Sequence, residues 1–262
     1  MIENFRVYLP KSKREVKIQI SSPRHKDNII FDTVYFLDGQ NAFSDYVSAF
    51  GRSIRATKHI YMAAKNMGKR IIGVAVFNSG SDMGRVNEYS PWKMVNPLIP
   101  EWSNSDPKIC MNYHYDFIHT IIPFIESKYN VSNNRAIYGS SLGAVMAAYM
   151  CFKDDVFNSC GLYSLANFLF EPNFSDFVKE NIENIKKKRV FIYVGKEEQS
   201  DDRDTKEIFL HSALDLNKLL SDNDVKTRLV ISYYGSHNEE TWDHNFFDFL
   251  TFIYYDNIIY KY

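Results

Sequence analysis

The stretch Tyr138-Gly139-Ser140-Ser141-Leu142-Gly143-Ala144 sets a serine between two glycines, each two residues away. A G-x-S-x-G turn between a strand and a helix strains the serine backbone and lifts its hydroxyl over the sheet, free to attack a carbonyl. Glycines are needed there because side chains would strike the neighbouring strand and helix. The flanks fit: Arg135-Ala136-Ile137-Tyr138 is strand-like, and Ala144 to Met150 is a strong helix former whose alanines permit close packing on a sheet. The same residues also suit an ordinary strand-to-helix turn, so the chemistry depends on partners elsewhere.

Two downstream segments supply them. Arg189 to Gly195 reads as a buried strand running into Lys196-Glu197-Glu198-Gln199-Ser200-Asp201-Asp202, a loop crowded with acids. Thr227 to Tyr234 reads as another strand, followed by Gly235-Ser236-His237-Asn238. Serine, acid and histidine in that chain order, each at a strand's C-terminal end, are what a Ser-acid-His triad on a parallel sheet requires. His237 alone would pass for a surface loop histidine; its order and position argue for a base.

Taken together, these segments resemble the putative esterase family of the α/β-hydrolase superfamily, which includes enterochelin esterases, feruloyl and acetyl esterases and S-formylglutathione hydrolases. The matching residues are Tyr35-Phe36-Leu37-Asp38-Gly39-Gln40-Asn41-Ala42-Phe43, Arg85 to Trp92, Ile121 to Glu126, Gly139 to Gly143, Gly195 to Glu198 and Gly235 to Trp242. The resemblance implies an α/β-hydrolase fold, a mostly parallel central sheet with helices on both faces. It also implies a serine esterase without a cofactor, and it does not choose a substrate.

The roles follow. Ser141 is the expected nucleophile, and His237 the base that takes its proton and later gives it to the leaving alcohol. Measured from Gly195, the family's acid falls on Glu198, with Glu197, Asp201 and Asp202 as alternatives in the same loop. The oxyanion hole is expected from the backbone N–H of Leu142, after the nucleophile, and of Gln40 or Asn41, after the strand ending at Leu37. Asp38 to Asn41 equally suits a tight turn. Substrate recognition is expected between Phe77 and Tyr113. There Arg85 could hold an anionic or carbonyl group, and Tyr89 and Trp92 could stack on an aromatic or sugar. Arg85 and Glu88 could instead pair to brace the loop. Glu239, Glu240 and Asp243 beside His237 do not form H-E-x-x-H and suit the first turn of a helix, so no metal is expected.

Composition bounds the rest. At 262 residues, 45% hydrophobic and 24% charged, the chain suits one domain, 1–262, with a substantial core. A formal net charge of −1 gives no reason to expect nucleic acid or an anionic membrane as partner. The expected partner is a small-molecule ester; a homo-oligomer stays open. No run is long enough to span a membrane, the first residues lack signal-peptide order, and Cys110, Cys151 and Cys160 read as reduced thiols, so a cytoplasmic address is expected. An acyltransferase using the same triad, or a non-catalytic binding protein on this fold, are the alternatives.

The elements that must carry these residues alternate. Glu15 to Ile20 has the pattern of an edge strand, Ile29 to Leu37 suits a strand covered on both faces, and Arg70 to Val76 reads as a further strand. Helices are expected over Arg55 to Met67, Tyr115 to Tyr129 with a kink at Pro123, the stripe Phe209-Ala213-Leu216-Leu220, and Thr241 to Tyr255.

Overall fold

In the computed structural model, residues 1–23, 29–95, 97–98, 100–198 and 203–255 are described. Strands β1 (Ile2–Leu9), β2 (Arg14–Ser21), β3 (Phe31–Phe36), helix α1 (Ala56–Met67) and strand β4 (Ile71–Val76) come first. Helices α2 (Asp82–Glu88), α3 (Pro107–Asp116) and α4 (Ile122–Lys128) lead to β5 (Val131–Ser140) and α5 (Leu142–Lys153). Strand β6 (Ser159–Tyr163) is followed by α6 (Asn173–Glu180), α7 (Ile182–Ile185), β7 (Arg189–Glu197), α8 (Arg203–Ser221), β8 (Lys226–Ser236) and α9 (Glu239–Tyr254).

The eight strands form one sheet in the order β1-β2-β4-β3-β5-β6-β7-β8. β2 runs antiparallel to both its neighbours, and β3 to β8 are parallel. The chain therefore starts outward at β3 and returns across it to β5, so the loops after β3 and β5 flank a topological switch point, where open α/β sheets place their sites.

Alternation along the strands divides the core. Val34, Phe36, Tyr138, Phe191 and Tyr193 face α1 and α9. Their neighbours Tyr35, Leu37, Ile137, Val190, Ile192 and Val194 face α5, α8 and the helices between. From Leu142 to Phe152 every residue of α5 is buried, as expected for a helix apolar all round. No helix among the described residues is long and apolar enough to cross a membrane.

Two expectations are corrected. Glu15 to Ile20 lies in β2, which is interior; β1 covers it, and Gln19 donates its amide to Asn4 Oδ1 at 2.9 Å, so a polar residue of the alternating pattern is paired within the sheet. The single kinked helix expected over Tyr115 to Tyr129 is α3, a π-helical turn Phe117–Ile121, and α4. Pro123 sits in the first turn of α4, where its missing N–H is not needed, and the wider turn before it absorbs the break.

Candidate active site

The turn after β5 is built as the glycine spacing demands. Ser141 has φ 56° and ψ −125°, a positive-φ conformation that costs a non-glycine residue roughly 1–3 kcal/mol and persists only where the surroundings impose it. Its N–H donates to the Tyr163 carbonyl at 2.8 Å, extending the β5–β6 ladder one residue past the strand. A Cβ on Gly139 would lie 2.1 Å from the Gly143 carbonyl oxygen, so only glycine lets α5 leave this close to β5. Leu142 is the first residue of α5, where the N–H groups have no acceptor within the helix.

β7 and β8 end side by side. A Cβ on Gly195 would lie 2.0 Å from the Gly235 carbonyl oxygen, and this close approach brings the two outgoing loops together. Across it, His237 Nδ1 meets Glu198 Oε2 at 2.6 Å. Glu198 is wholly buried, and its other oxygen accepts the Ser164 hydroxyl at 2.6 Å and the Gly195 N–H at 2.9 Å. Ser164 is in turn held by the indole N–H of Trp242, which donates to its Oγ at 2.9 Å. The imidazole packs against Phe209 and edge-on against Trp242, with ring centroids 4.9 and 5.3 Å away. With Nδ1 committed to Glu198, Nε2 is the nitrogen left to exchange a proton with a hydroxyl.

Among the described acids of that loop, Glu198 is the one brought to His237. The Glu197 side chain is exposed, and Asp201 and Asp202 lie outside the described residues. Sequence reasoning misses Ser164 and gives Trp242 no role of its own. Ser164 follows β6, whose five residues give little strand signal, and Trp242 stands out only as the end of the motif that begins at Gly235.

The loop after β3 forms a short 3₁₀ turn, Gly39–Asn41. The Asn41 N–H donates to the Asp38 carbonyl and the Ala42 N–H to that of Gly39. The N–H of Gln40, at the start of the turn, has no acceptor within it. Asn41 is buried, and its side chain donates to Glu239 Oε1 at 2.7 Å. Burial raises the Glu239 carboxyl above the usual carboxylate range. A cavity of about 10 Å³ lies between Asp38, Asn41, Tyr138, Ser140 and Glu239. That is room for a water molecule, not for an ester.

Arg85, Tyr89 and Trp92 are placed differently from the expectation. Tyr89 is fully buried, and its hydroxyl accepts the Asp38 N–H at 3.0 Å, so it offers no face to a substrate. Arg85 grips the Asp38 carboxylate through Nε at 2.9 and 3.1 Å and Nη2 at 2.7 Å. Trp92 is half-buried in an aromatic cluster, 5.2 Å from Phe177 and 5.6 Å from Tyr149, which occupies the ring expected to stack on a ligand. Nor does Arg85 pair with Glu88; Glu88 accepts from Arg14 at 2.5 Å and from the Ser79 N–H at 3.1 Å.

Comparison with known proteins completes the picture. The model of the family described as "Putative esterase" matches residues 10–253. Among solved structures, an IroE-like serine hydrolase from Shewanella oneidensis superposes with a TM-score of 0.72 at 17% identity, covering 95% of this chain and 80% of that one. The siderophore hydrolase EstB from Aspergillus nidulans gives 0.69 at 18% identity, covering 95% and 93%. A ferulic acid esterase gives 0.72 at 15% identity, covering 97% of each chain. At these identities the likeness is one of fold, that of the α/β hydrolases. No curated protein sequence matches the chain.

Proposed function

This chain belongs to the putative esterase family, and we propose that within it the protein hydrolyses a small carboxylic ester through an acyl-serine intermediate. Ser141 is the nucleophile, His237 the general base and acid, and Glu198 the carboxylate that orients the imidazole. The single observation that carries this reading is the 2.6 Å contact between His237 Nδ1 and a buried Glu198. It fixes the ring tautomer and leaves Nε2 for the hydroxyl proton, on the sheet edge where the strained Ser141 also stands.

The steps balance without a cofactor. Ser141 Oγ adds to the ester carbonyl carbon as His237 Nε2 takes the hydroxyl proton. Negative charge gathers on the carbonyl oxygen, where the N–H groups of Leu142 and Gln40 stabilise it; one such donor is typically worth ~3 kcal/mol of barrier. Collapse breaks the C–O bond to the alcohol, which leaves with the proton from His237. Water then repeats the sequence, giving up a proton to His237, adding to the acyl carbon and releasing the acid and free Ser141.

Of the neighbours named above, one is a siderophore hydrolase and one a ferulic acid esterase. With the family itself described as esterases, they support a small carboxylic ester as the substrate class of this chain, read as a single domain. Three buried free thiols, Cys110, Cys151 and Cys160, suit a reducing compartment, so the cytoplasm is part of the reading.

The test is intact mass after a fluorophosphonate probe, with peptide mapping, on wild type and Ser141→Ala. One stoichiometric adduct on Ser141, absent from the folded variant, is expected. A folded wild type that turns over no ester and takes no adduct overturns the mechanism.

A further inference from the structure

Asp38 is an acid held in a conformation usually left to glycine, at φ 50° and ψ 49°, immediately before the turn that carries Gln40. Such a residue stays there only if its surroundings over-determine it. Here they do. Its N–H donates to the buried Tyr89 hydroxyl, and its carboxylate receives the Arg85 fork and, at 2.7 Å, the Asn78 amide. The Arg85 guanidinium also lies 5.4 Å from the Tyr89 ring centroid. Arg85 belongs to α2, and Tyr89 is the residue that caps it; that short helix is itself fixed to β2 through Glu88 and Arg14.

On its other side Asp38 reaches α5. Its Oδ2 lies 3.1 Å from where a Cβ of Gly143 would be, beside Leu142 in the first turn after the nucleophile. Asp38 therefore belongs to the segment expected to supply one oxyanion donor, and its carboxylate stands beside Gly143 in the segment expected to supply the other. Arg85 meets Asp38 as a planar two-pronged donor, a geometry that a lysine cannot reproduce.

We propose that Arg85 acts through Asp38 as a positioning residue, setting the Gln40 N–H against the Leu142 N–H so that both meet the developing oxyanion. This rests on the serine-esterase reading above. It takes Arg85 away from substrate recognition and gives it a role felt in the transition state more than in binding.

The experiment compares wild type, Arg85→Lys and Asp38→Asn on two esters of one chromophore, neutral p-nitrophenyl acetate and anionic p-nitrophenyl succinate. Folding of each variant is checked by near-UV circular dichroism, and the second variant stands in should the first not fold. Positioning predicts that kcat falls by about ten- to a hundredfold on both esters, short of the 10²–10³ for outright loss of a donor. KM should move less than threefold, and the charge kept in Arg85→Lys should not preserve the wild-type rate, because a lysine lacks the two-pronged donor. A rise in KM confined to the succinate ester, with kcat kept, would make Arg85 a substrate ligand and overturn the proposal. So would unchanged kcat in folded variants. Failure of the underlying reading looks different, because the wild type itself would then be inactive on both esters and unlabelled at Ser141.

Discussion

Asn41 and Glu239 stand 198 residues apart in the chain and meet through an amide N–H···carboxylate bond of 2.7 Å. Asn41 follows Gln40 in the turn after β3; Glu239 comes two residues after His237, in the first turn of α9. The bond thus joins the turn that carries Gln40 to the segment that follows His237. The same Asn41 accepts the Ser48 hydroxyl at 3.1 Å and the Ala49 N–H at 3.0 Å, which ties down the following loop. Arg52, farther along that loop, reaches Glu240 and Asp243 of α9 at 3.2 and 3.4 Å, and His59 of α1 meets Asp243 at 2.6 Å. A row of polar contacts therefore stitches the β3 side of the site to the helix behind His237.

Removing the amide should be felt in both stability and rate. Asn41→Ala leaves the buried Glu239 carboxyl without its amide donor, at a cost of about 1–3 kcal/mol for an unpaired buried polar group, and takes the acceptor from the Ala49 N–H of the following loop. Asn41→Asp should be worse at pH 7, because it sets a second carboxylate against Glu239, and should recover part of its loss as pH falls into the carboxylate range. Urea unfolding of the two variants at pH 7 and pH 5 tests this. Equal losses at both pH values for Asn41→Asp would show that the two side chains do not interact.

Ser164 carries the next prediction. It sits between the Trp242 indole and the Glu198 carboxylate, so Ser164→Ala strips one donor from Glu198 and leaves the indole N–H unpaired in the core. Stability should fall by about 1–3 kcal/mol. If the Glu198 to His237 contact serves catalysis, kcat should also drop by roughly tenfold, a barrier increase of about 1.4 kcal/mol. Trp242→Phe keeps a ring against His237 and leaves Ser164 to donate to Glu198, though it removes the indole donor and part of the buried volume, so its rate loss should be smaller than that of Ser164→Ala. Full activity in a destabilised Ser164→Ala would reduce the chain of bonds to a purely structural feature. Glu198→Gln, which forces the wrong tautomer on the imidazole, should lose about 10³–10⁴-fold in kcat.

How much of this can be read in the sequence depends on whether a signal is local. Glycine spacing around Ser141 and chain order toward His237 are local and periodic, and they point to loops that the sheet does bring to one edge. The family resemblance, counted from Gly195, favours Glu198 but leaves Glu197, Asp201 and Asp202 open, because a run of acids in one loop carries no signal for which one turns inward. Ser164, by contrast, is a lone serine after a five-residue strand, and its importance exists only once β6 lies beside β7. Arg85, Tyr89 and Trp92 are legible as a chemically rich segment, but residue type does not say which way a loop faces. Tyr89 faces inward to the Asp38 N–H, and Trp92 packs under Tyr149 and Phe177. Likewise, alternation in β2 cannot reveal that β1 covers it.

Gly195 offers a direct test of why β7 and β8 end together. Any Cβ there meets the Gly235 carbonyl at 2.0 Å, a backbone atom that cannot swing aside as a side-chain tip could. Gly195→Ala should therefore push β8 away at the point where its chain turns toward His237. The expected outcome is a loss of at least ~1–3 kcal/mol, the range for overpacking a tight contact, together with a large loss of ester turnover. Near-wild-type stability and rate would show that the loops can part without disturbing His237.

Glu88 supplies a pH dependence with a definite sign. Burial, opposed by the Arg14 guanidinium, raises its carboxyl from 4.5 to about 6. Between those values the folded protein holds the proton more tightly than the unfolded chain does, so folding stability falls as pH rises. The contribution is fully present below about pH 4.5 and is lost once pH passes the folded value near 6. Its size is on the order of 2 kcal/mol, because each tenfold gain in proton affinity is worth about 1.4 kcal/mol. Glu88→Gln keeps an acceptor for Arg14 but cannot titrate. The stability of wild type relative to Glu88→Gln should therefore decline by about 2 kcal/mol between pH 4 and pH 7. Chemical unfolding of both proteins across that range measures the difference. A gap that stays constant, or that widens in favour of wild type as pH rises, would mean that the Arg14 pair outweighs burial and that Glu88 folds as an ordinary ion-paired carboxylate.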